Sequence, residues 1–167
     1  MCSSDLTASQ AEQLGADEPA VGAHAGAGLT ALRQQDVATA RAELATAQRI
    51  LGGRDDWWFQ GRERLEALVI RVAMLDGSKT IAHTRFHTAL DKLEPSDVYG
   101  AAWLLADCGA ELAMEDPTIW GIVERFAGNA AVGNFVPLAA RFTALRDFAN
   151  RIPASRPRAT AHEPTGD

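Results

Sequence analysis

The sequence predicts an all-α protein whose helices pair into stacked antiparallel hairpins, about six to seven helices in total. Apolar residues recur at spacings of three and four along most of the chain, which is the period of one helix face. No segment alternates apolar and polar residues over the length of a strand, as a half-buried strand would. Aspartate, proline and glycine residues divide the chain at intervals and mark helix starts and ends.

The predicted helices cover residues 19–33, 37–51, 57–75, 79–93, 98–114, 118–127 and 135–152. Residues with short polar side chains precede most of them, and their oxygens accept hydrogen bonds from the free amides of a first helical turn. Glycines follow the second and third helices, where a left-handed residue ends the helix. The predicted caps are Asp36, Asp55 or Asp56, Ser78, Asp97, Asp116 and Asn134, and the predicted stops are Gly52 and Gly77.

A small–large–small pattern occurs twice on second helices of predicted hairpins. It consists of Ala40, Leu44 and Ala47, and 42 residues later of Ala82, Phe86 and Ala89. A small residue lets two helices approach closely, and a large residue one turn later fills the groove between them. The helix over 98–114 is apolar on nearly all sides, which predicts that it is buried on several sides.

The chain divides into one predicted domain with two irregular ends. Residues 18–152 form the helical repeat domain, and residues 153–167, rich in Pro, Ala, Thr and Arg, are predicted to be a disordered tail. Residues 1–17 are predicted to be disordered or non-native. Residues 1–6, MCSSDL, resemble the translation of a sequencing-library adapter, which predicts that the chain is a fragment of a longer protein.

Composition limits the classes of function. Hydrophobic residues make up 47% of the 167 residues, and the formal net charge is -6. Binding of a phosphate backbone needs a basic face, so direct nucleic-acid contact is not expected. No apolar run approaches the length that spans a bilayer, no secretory signal begins the chain, and the two cysteines suggest no disulfide framework. A cytoplasmic location without a membrane partner or cofactor is the expectation.

The repeated A-x-x-x-[L/F]-x-x-A spacing resembles the tetratricopeptide repeat. Gly28, twelve residues before Ala40, stands where that family favours a small residue in its first helix, although Ile70 stands at the matching place in the second hairpin. The 42-residue shift and the Ala/Arg-rich composition are more similar to the C-terminal helical repeats of large bacterial LuxR-family regulators. The resemblance implies a scaffold that binds a protein or peptide, is not an enzyme, and belongs to a larger bacterial signalling or transcriptional regulator. No phosphate-binding loop or helix-turn-helix pattern is present in this sequence.

Two other functions are compatible with the same helices. A compact helical bundle would bind a small ligand in an internal pocket or form part of an enzyme, and the nearly all-apolar helix over 98–114 fits that arrangement. A structural module without a binding role is the third possibility.

The candidate partner-binding residues are Arg64, Arg71 and Trp57. Arg64 and Arg71 are seven apart on one predicted helix and therefore share a face, from which they can hold carboxylates of a partner. Trp57 stands next to Trp58, which already occupies the inward direction. The alternative is that both arginines pair with Glu63, Glu66 or Glu111 at the surface, where such pairs contribute little.

His83 and His87 are weak candidates for a metal site. They are one helical turn apart, and Asp91 continues the line, a spacing that can present two imidazoles and a carboxylate to one ion. The alternative is that the two rings pack at the boundary of the core beside Ala82 and Phe86. No metal is expected on balance.

Overall fold

The computed structural model describes residues 17–54, 59 and 61–151. This part of the chain contains eight helices and no strands, which confirms the predicted all-α class. The helices are α1 (Asp17–Arg33), α2 (Val37–Leu51), α3 (Arg62–Leu75), α4 (Lys79–Leu93), α5 (Val98–Glu115), α6 (Ile119–Ala127), α7 (Ala130–Asn134) and α8 (Val136–Arg151).

Successive helices pack against one another in sequence order. Helices α1 and α2 pack together and both contact α3, and α3 and α4 pack together and both contact α5. Within the described residues, the backbone of α1 approaches only α2 and α3. From α5 onward, contacts also join helices that are further apart in the sequence. Helices α5, α6, α7 and α8 all contact one another.

The two small–large–small patterns lie in the core, as predicted. Ala40, Leu44 and Ala47 are buried on α2, and Ala82, Phe86 and Ala89 are buried on α4. Gly28 lies where α1 crosses α3: a Cβ atom at this position would lie 2.5 Å from Leu68 Cδ2. The close approach of α1 to α3 therefore depends on the missing side chain of Gly28.

Helix α3 begins later than predicted. The expected start was residue 57, but the described helix begins at Arg62, and Gly61 before it has a φ of 95°. A left-handed residue cannot continue a right-handed helix, so the helix does not extend through Gly61. Leu75, the last residue of α3, is 56% exposed. The predicted caps Asp55 and Asp56 lie outside the described residues.

Most of the remaining predictions of helix ends are correct. The carboxylates of Asp36 and Asp97 accept hydrogen bonds from the amides of Thr39 and Gly100, and Gly52 is left-handed. Ser78 precedes α4 but makes no capping hydrogen bond with its side chain.

The stretch predicted as a loop before the last helix contains the short helix α7. The side chain of Asn129 caps it by accepting from the amides of Ala131 and Val132, and α8 then begins at Val136. The predicted cap of the last helix, Asn134, is instead the final residue of α7.

Helix α5 is the centre of the fold, and its buried residues include Leu104, Leu105 and Leu112. Cys108, on the same helix, donates its thiol hydrogen to the carbonyl of Leu104 at 3.0 Å. Burial raises the pKa of the Cys108 thiol well above its ordinary value, so the thiol stays protonated and unreactive.

Two charged side chains are buried at the start of α3. Arg62 and Glu66 are 1% and 3% exposed. The Nε atom of Arg62 donates to Glu66 Oε1 at 2.7 Å, and Arg85 Nε on α4 donates to Glu66 Oε2, also at 2.7 Å. One carboxylate therefore joins two guanidinium groups and fixes the start of α3 against α4.

The structure describes only part of the predicted ends of the helical domain. Residue 17 belongs to α1 and not to an irregular N-terminus. Residues 1–16 and 152–167, to which the predictions of an adapter-derived start and a disordered tail refer, lie outside the described residues. No helix in the described ranges is long and apolar enough to cross a membrane.

Candidate binding groove

The first turns of α1, α3 and α5 meet around one cavity, here called the N-terminal cavity. Its volume is about 480 Å³. Helix α1 contributes small residues to its lining, and a Cβ atom added to Gly22 would meet nothing within 4 Å. The backbone of α1 is therefore accessible to a ligand at this point. The lining residues include Glu18, Gly22, Glu63, Arg64, Asp97 and Trp103.

Two aromatic side chains of α5, Tyr99 and Trp103, line this cavity, and both lie against Phe135, which precedes α8; the three are here called the aromatic wall. The ring centroids of Tyr99 and Phe135 are 5.7 Å apart, and those of Trp103 and Phe135 are 6.4 Å apart, both edge to face. Tyr99 and Phe135 are exposed, and Trp103 is half-buried. Exposed aromatic side chains that hold one another in place offer a rigid apolar contact surface.

A second cavity, here called the C-terminal cavity, lies further along the same helices. Its volume is about 290 Å³, and it is lined by α1, α3, α5 and α8. Three guanidinium groups, those of Arg33, Arg71 and Arg141, line it together with the carboxylates of Asp107 and Glu111. The two cavities thus open on the face that α1, α3 and α5 share.

The predicted arginines lie in these two cavities. Arg64 lines the N-terminal cavity and is 61% exposed, and its Nε lies 3.9 Å from Glu63 Oε1, which is too long for a hydrogen bond. Arg71 lines the C-terminal cavity and pairs with Glu111 at 3.0 Å, one of the pairings that the alternative hypothesis predicted. Glu66, another predicted partner, binds Arg62 and Arg85 instead.

A row of contacts on α5 and α8 connects the two cavities. The guanidinium of Arg141 lies over the ring of Trp103, 5.0 Å from its centroid. Arg141 also pairs with Asp107, whose Oδ1 accepts a second hydrogen bond from Arg33 at 3.0 Å. The two cavities, both lined by α1, α3 and α5, are together called the binding groove.

The charges of the binding groove differ between its ends. In the N-terminal cavity, the carboxyl groups of Glu18, Glu63 and Asp97 face a single guanidinium, that of Arg64. Burial raises the pKa of Glu63; the charge of Arg64 opposes this rise, and the charge of Asp97 adds to it. In the C-terminal cavity the guanidinium groups outnumber the carboxylates. The groove is therefore acidic and aromatic at one end and basic at the other.

The structure brings the two histidines together with a different carboxylate from the one predicted. Ligand atoms of His83, His87 and Asp116 all lie within 4.8 Å of one another. Asp91 is not a member of this group; it is two helical turns from His83, about 12 Å along the axis of α4. Asp116 follows α5 and approaches α4 from the neighbouring hairpin, so spacing along α4 does not predict it.

Sequence reasoning missed the aromatic wall. Trp103 lies at the boundary of the core and lines the N-terminal cavity. Tyr99 and Phe135 are 36 residues apart, and no local pattern predicts their contact. Trp57, the third predicted partner-binding residue, lies outside the described residues, so its position relative to the groove is not defined.

Comparison with known proteins adds no family to these observations. No protein-family model matches the chain, and no curated protein sequence or solved structure is significantly similar to it.

Proposed function

We propose that this chain is a helical-hairpin scaffold of the tetratricopeptide-like kind that binds an extended peptide segment of a partner protein. The observation that supports this proposal is the binding groove, whose two cavities are both lined by α1, α3 and α5 and differ in charge. Stacked helical hairpins leave such extended surfaces because each pair buries only the faces that contact its neighbours.

The dimensions of the groove fit a short peptide. Its lining on α1 extends from Glu18 to Arg33, which corresponds to about 22 Å of helix. An extended peptide rises about 3.3 Å per residue, so the groove holds about six or seven residues. Gly22 leaves room for the peptide backbone next to α1.

The charges of the groove define the chemistry of the peptide. A lysine or arginine side chain fits the N-terminal cavity, where carboxyl groups surround it and the aromatic wall offers cation–π contacts. An aspartate or glutamate fits the C-terminal cavity, where three guanidinium groups outnumber the two carboxylates. Arg64 lines the N-terminal cavity and Arg71 the C-terminal cavity, and the two residues are about 10 Å apart along α3. The expected ligand therefore carries a basic residue and an acidic residue about three positions apart.

The place of the chain within a larger bacterial regulator rests on the sequence resemblance alone and remains a prediction. Sequencing upstream of residue 1 tests it, since an ATPase motif is expected there.

Selection from a random peptide library tests peptide binding directly. We expect enrichment of sequences that combine a basic and an acidic residue at the stated spacing. The affinity of an enriched peptide is then compared between the wild type and Gly22→Leu, which fills the N-terminal cavity. We expect Gly22→Leu to weaken binding at least tenfold, about 1.4 kcal/mol.

The matched control is Gly121→Leu on α6. A Cβ atom at Gly121 also meets nothing within 4 Å, but Gly121 lines neither cavity of the groove. This variant should bind the peptide like the wild type. Enriched peptides that bind Gly22→Leu with wild-type affinity would contradict the proposal, and so would a library that yields no enriched sequence.

A further inference from the structure

A second candidate site, which shares no residue with the binding groove, lies between α4 and the end of α5. His83 and His87 are one turn apart on α4, and Asp116 follows the end of α5. One nitrogen of each imidazole and one oxygen of the carboxylate lie within 4.8 Å of one another. In a tetrahedral zinc site with bonds of 2.0–2.1 Å, ligand atoms are about 3.4 Å apart. Small side-chain rotations are therefore enough to bring all three onto one ion.

Neighbouring residues orient two of these three side chains. The backbone amide and the hydroxyl of Thr118 both donate to Oδ1 of Asp116, at 2.9 and 2.7 Å, which leaves Oδ2 for another partner. The ring of His87 lies edge to face against the buried ring of Phe86, with centroids 5.3 Å apart. Such contacts hold ligating side chains in place before an ion binds.

The surroundings also leave space for an ion and an exchangeable ligand. His83, His87 and Asp116 line a cavity of about 390 Å³ together with Lys79, Glu115 and two threonines. Lys79 pairs with Glu115 at 2.7 Å, so its positive charge is balanced beside the site. Three protein ligands with an open side are the arrangement in which zinc keeps a water or substrate at its fourth position.

We propose that His83, His87 and Asp116 form a binding site for a divalent transition-metal ion, with zinc as the ion to test. Imidazole nitrogen and carboxylate oxygen are both ligands that zinc accepts. The bound ion joins α4 to the segment between α5 and α6, and its fourth position faces the cavity. This site is independent of the proposed peptide groove, so either proposal can fail without the other.

Calorimetric titration of the full chain with zinc chloride tests the site. We expect one zinc ion per chain and, at about a hundredfold excess over Kd, a rise in Tm of about 5–10 °C. His83→Gln and Asp116→Asn should each weaken zinc binding by at least about 10–100-fold. Changing a residue that only hydrogen-bonds to a metal ligand already causes a loss of this size, and these two substitutions change a ligand itself. Asp116→Asn keeps an oxygen that accepts from Thr118, so the local fold is maintained.

Asp91→Asn is the matched control, because Asp91 lies on the same helix but outside the group of three. It should bind zinc like the wild type. The proposal is overturned if zinc binds more weakly than about 1 mM, or if binding persists at full strength in both His83→Gln and Asp116→Asn. The Tm of each variant without zinc, compared with that of the wild type, shows whether a loss of binding reflects the ligand or the fold.

Discussion

The guanidinium of Arg141 lies 5.0 Å from the centroid of the Trp103 ring and at the same time pairs with Asp107. One side chain of α8 thus connects the aromatic wall of the binding groove to its basic end. The arrangement fixes Trp103 in an orientation in which one edge of the ring contacts Phe135.

The stacking of Arg141 on Trp103 should be measurable as a coupling energy. Because Arg141 is half-exposed, we expect a coupling of about 0.5–1 kcal/mol between the two side chains. Urea unfolding of Arg141→Gln, Trp103→Leu and the double variant supplies the cycle. Strictly additive effects on the free energy of unfolding would show that the contact does not contribute.

The buried carboxylate of Glu66 should be one of the most sensitive positions of the domain. Glu66→Ala removes the acceptor that Arg62 and Arg85 share and leaves the buried Arg62 without this counter-charge. Loss of one member of a buried ion pair costs about 3–5 kcal/mol. Urea unfolding measures the loss, and Glu66→Gln, which keeps the volume and one acceptor, should cost less. A loss below about 1 kcal/mol in Glu66→Ala would contradict the importance of this network.

Two glycines of α1 should respond in opposite ways to alanine. A Cβ atom at Gly28 would lie 2.5 Å from Leu68 Cδ2 and 3.3 Å from Glu43 Cβ, whereas a Cβ atom at Gly22 would meet nothing within 4 Å. Gly28→Ala should therefore lower the free energy of unfolding by up to about 2 kcal/mol, because overpacking exceeds the gain in helix propensity. Gly22→Ala should raise it by up to about 1 kcal/mol. Thermal and urea unfolding of the two variants measure both effects. If both substitutions changed the free energy of unfolding by the same amount, the close approach at Gly28 would be refuted.

The pKa of Glu63 links the stability of the domain to pH. Burial raises this pKa above its ordinary value of 4.5, so the folded state binds the proton more tightly than the unfolded state. The contribution of Glu63 to stability is thus fully present below pH 4.5 and is lost as pH rises through the folded pKa. We expect Glu63→Gln to have a higher Tm than the wild type at about pH 7 and an equal Tm at about pH 3.

Glu18→Gln is the control for this comparison. Glu18 lines the same cavity but is exposed, so its substitution removes a carboxylate from the cavity without changing a buried group. A Glu63→Gln variant whose Tm follows the wild-type pH profile would contradict the assigned role of Glu63.

The parts of the fold that were predicted correctly depend on local patterns. The buried faces of α2 and α4 follow directly from small and large residues one turn apart, and Asp36 and Asp97 cap the helices that they precede. The late start of α3 was missed because the apolar residues before Gly61 continue the helical pattern, whereas the left-handed backbone of Gly61 interrupts it. Helix α7 was missed because five residues among glycine and asparagine carry too little periodicity.

The candidate site was only partly predictable for a related reason. Arg64 and Arg71 share one helix, so their common face follows from their spacing. The partners that complete each site come from other helices: Phe135 joins Tyr99 and Trp103, and Asp116 joins His83 and His87. Such contacts depend on how hairpins pack against one another, and the periodicity of a single helix contains no information about that packing.

The position of α1 at the end of the packing order has a consequence for local unfolding. In the described part of the chain, the α1 backbone is held only by α2 and α3, so the first hairpin can open while the core around α5 stays folded. Hydrogen exchange should accordingly be faster in α1 than in α5. Helix α1 forms one side of the binding groove. A peptide that contacts both α1 and α5 would therefore bind only when the first hairpin is closed. Its binding energy would slow hydrogen exchange throughout α1 and α2.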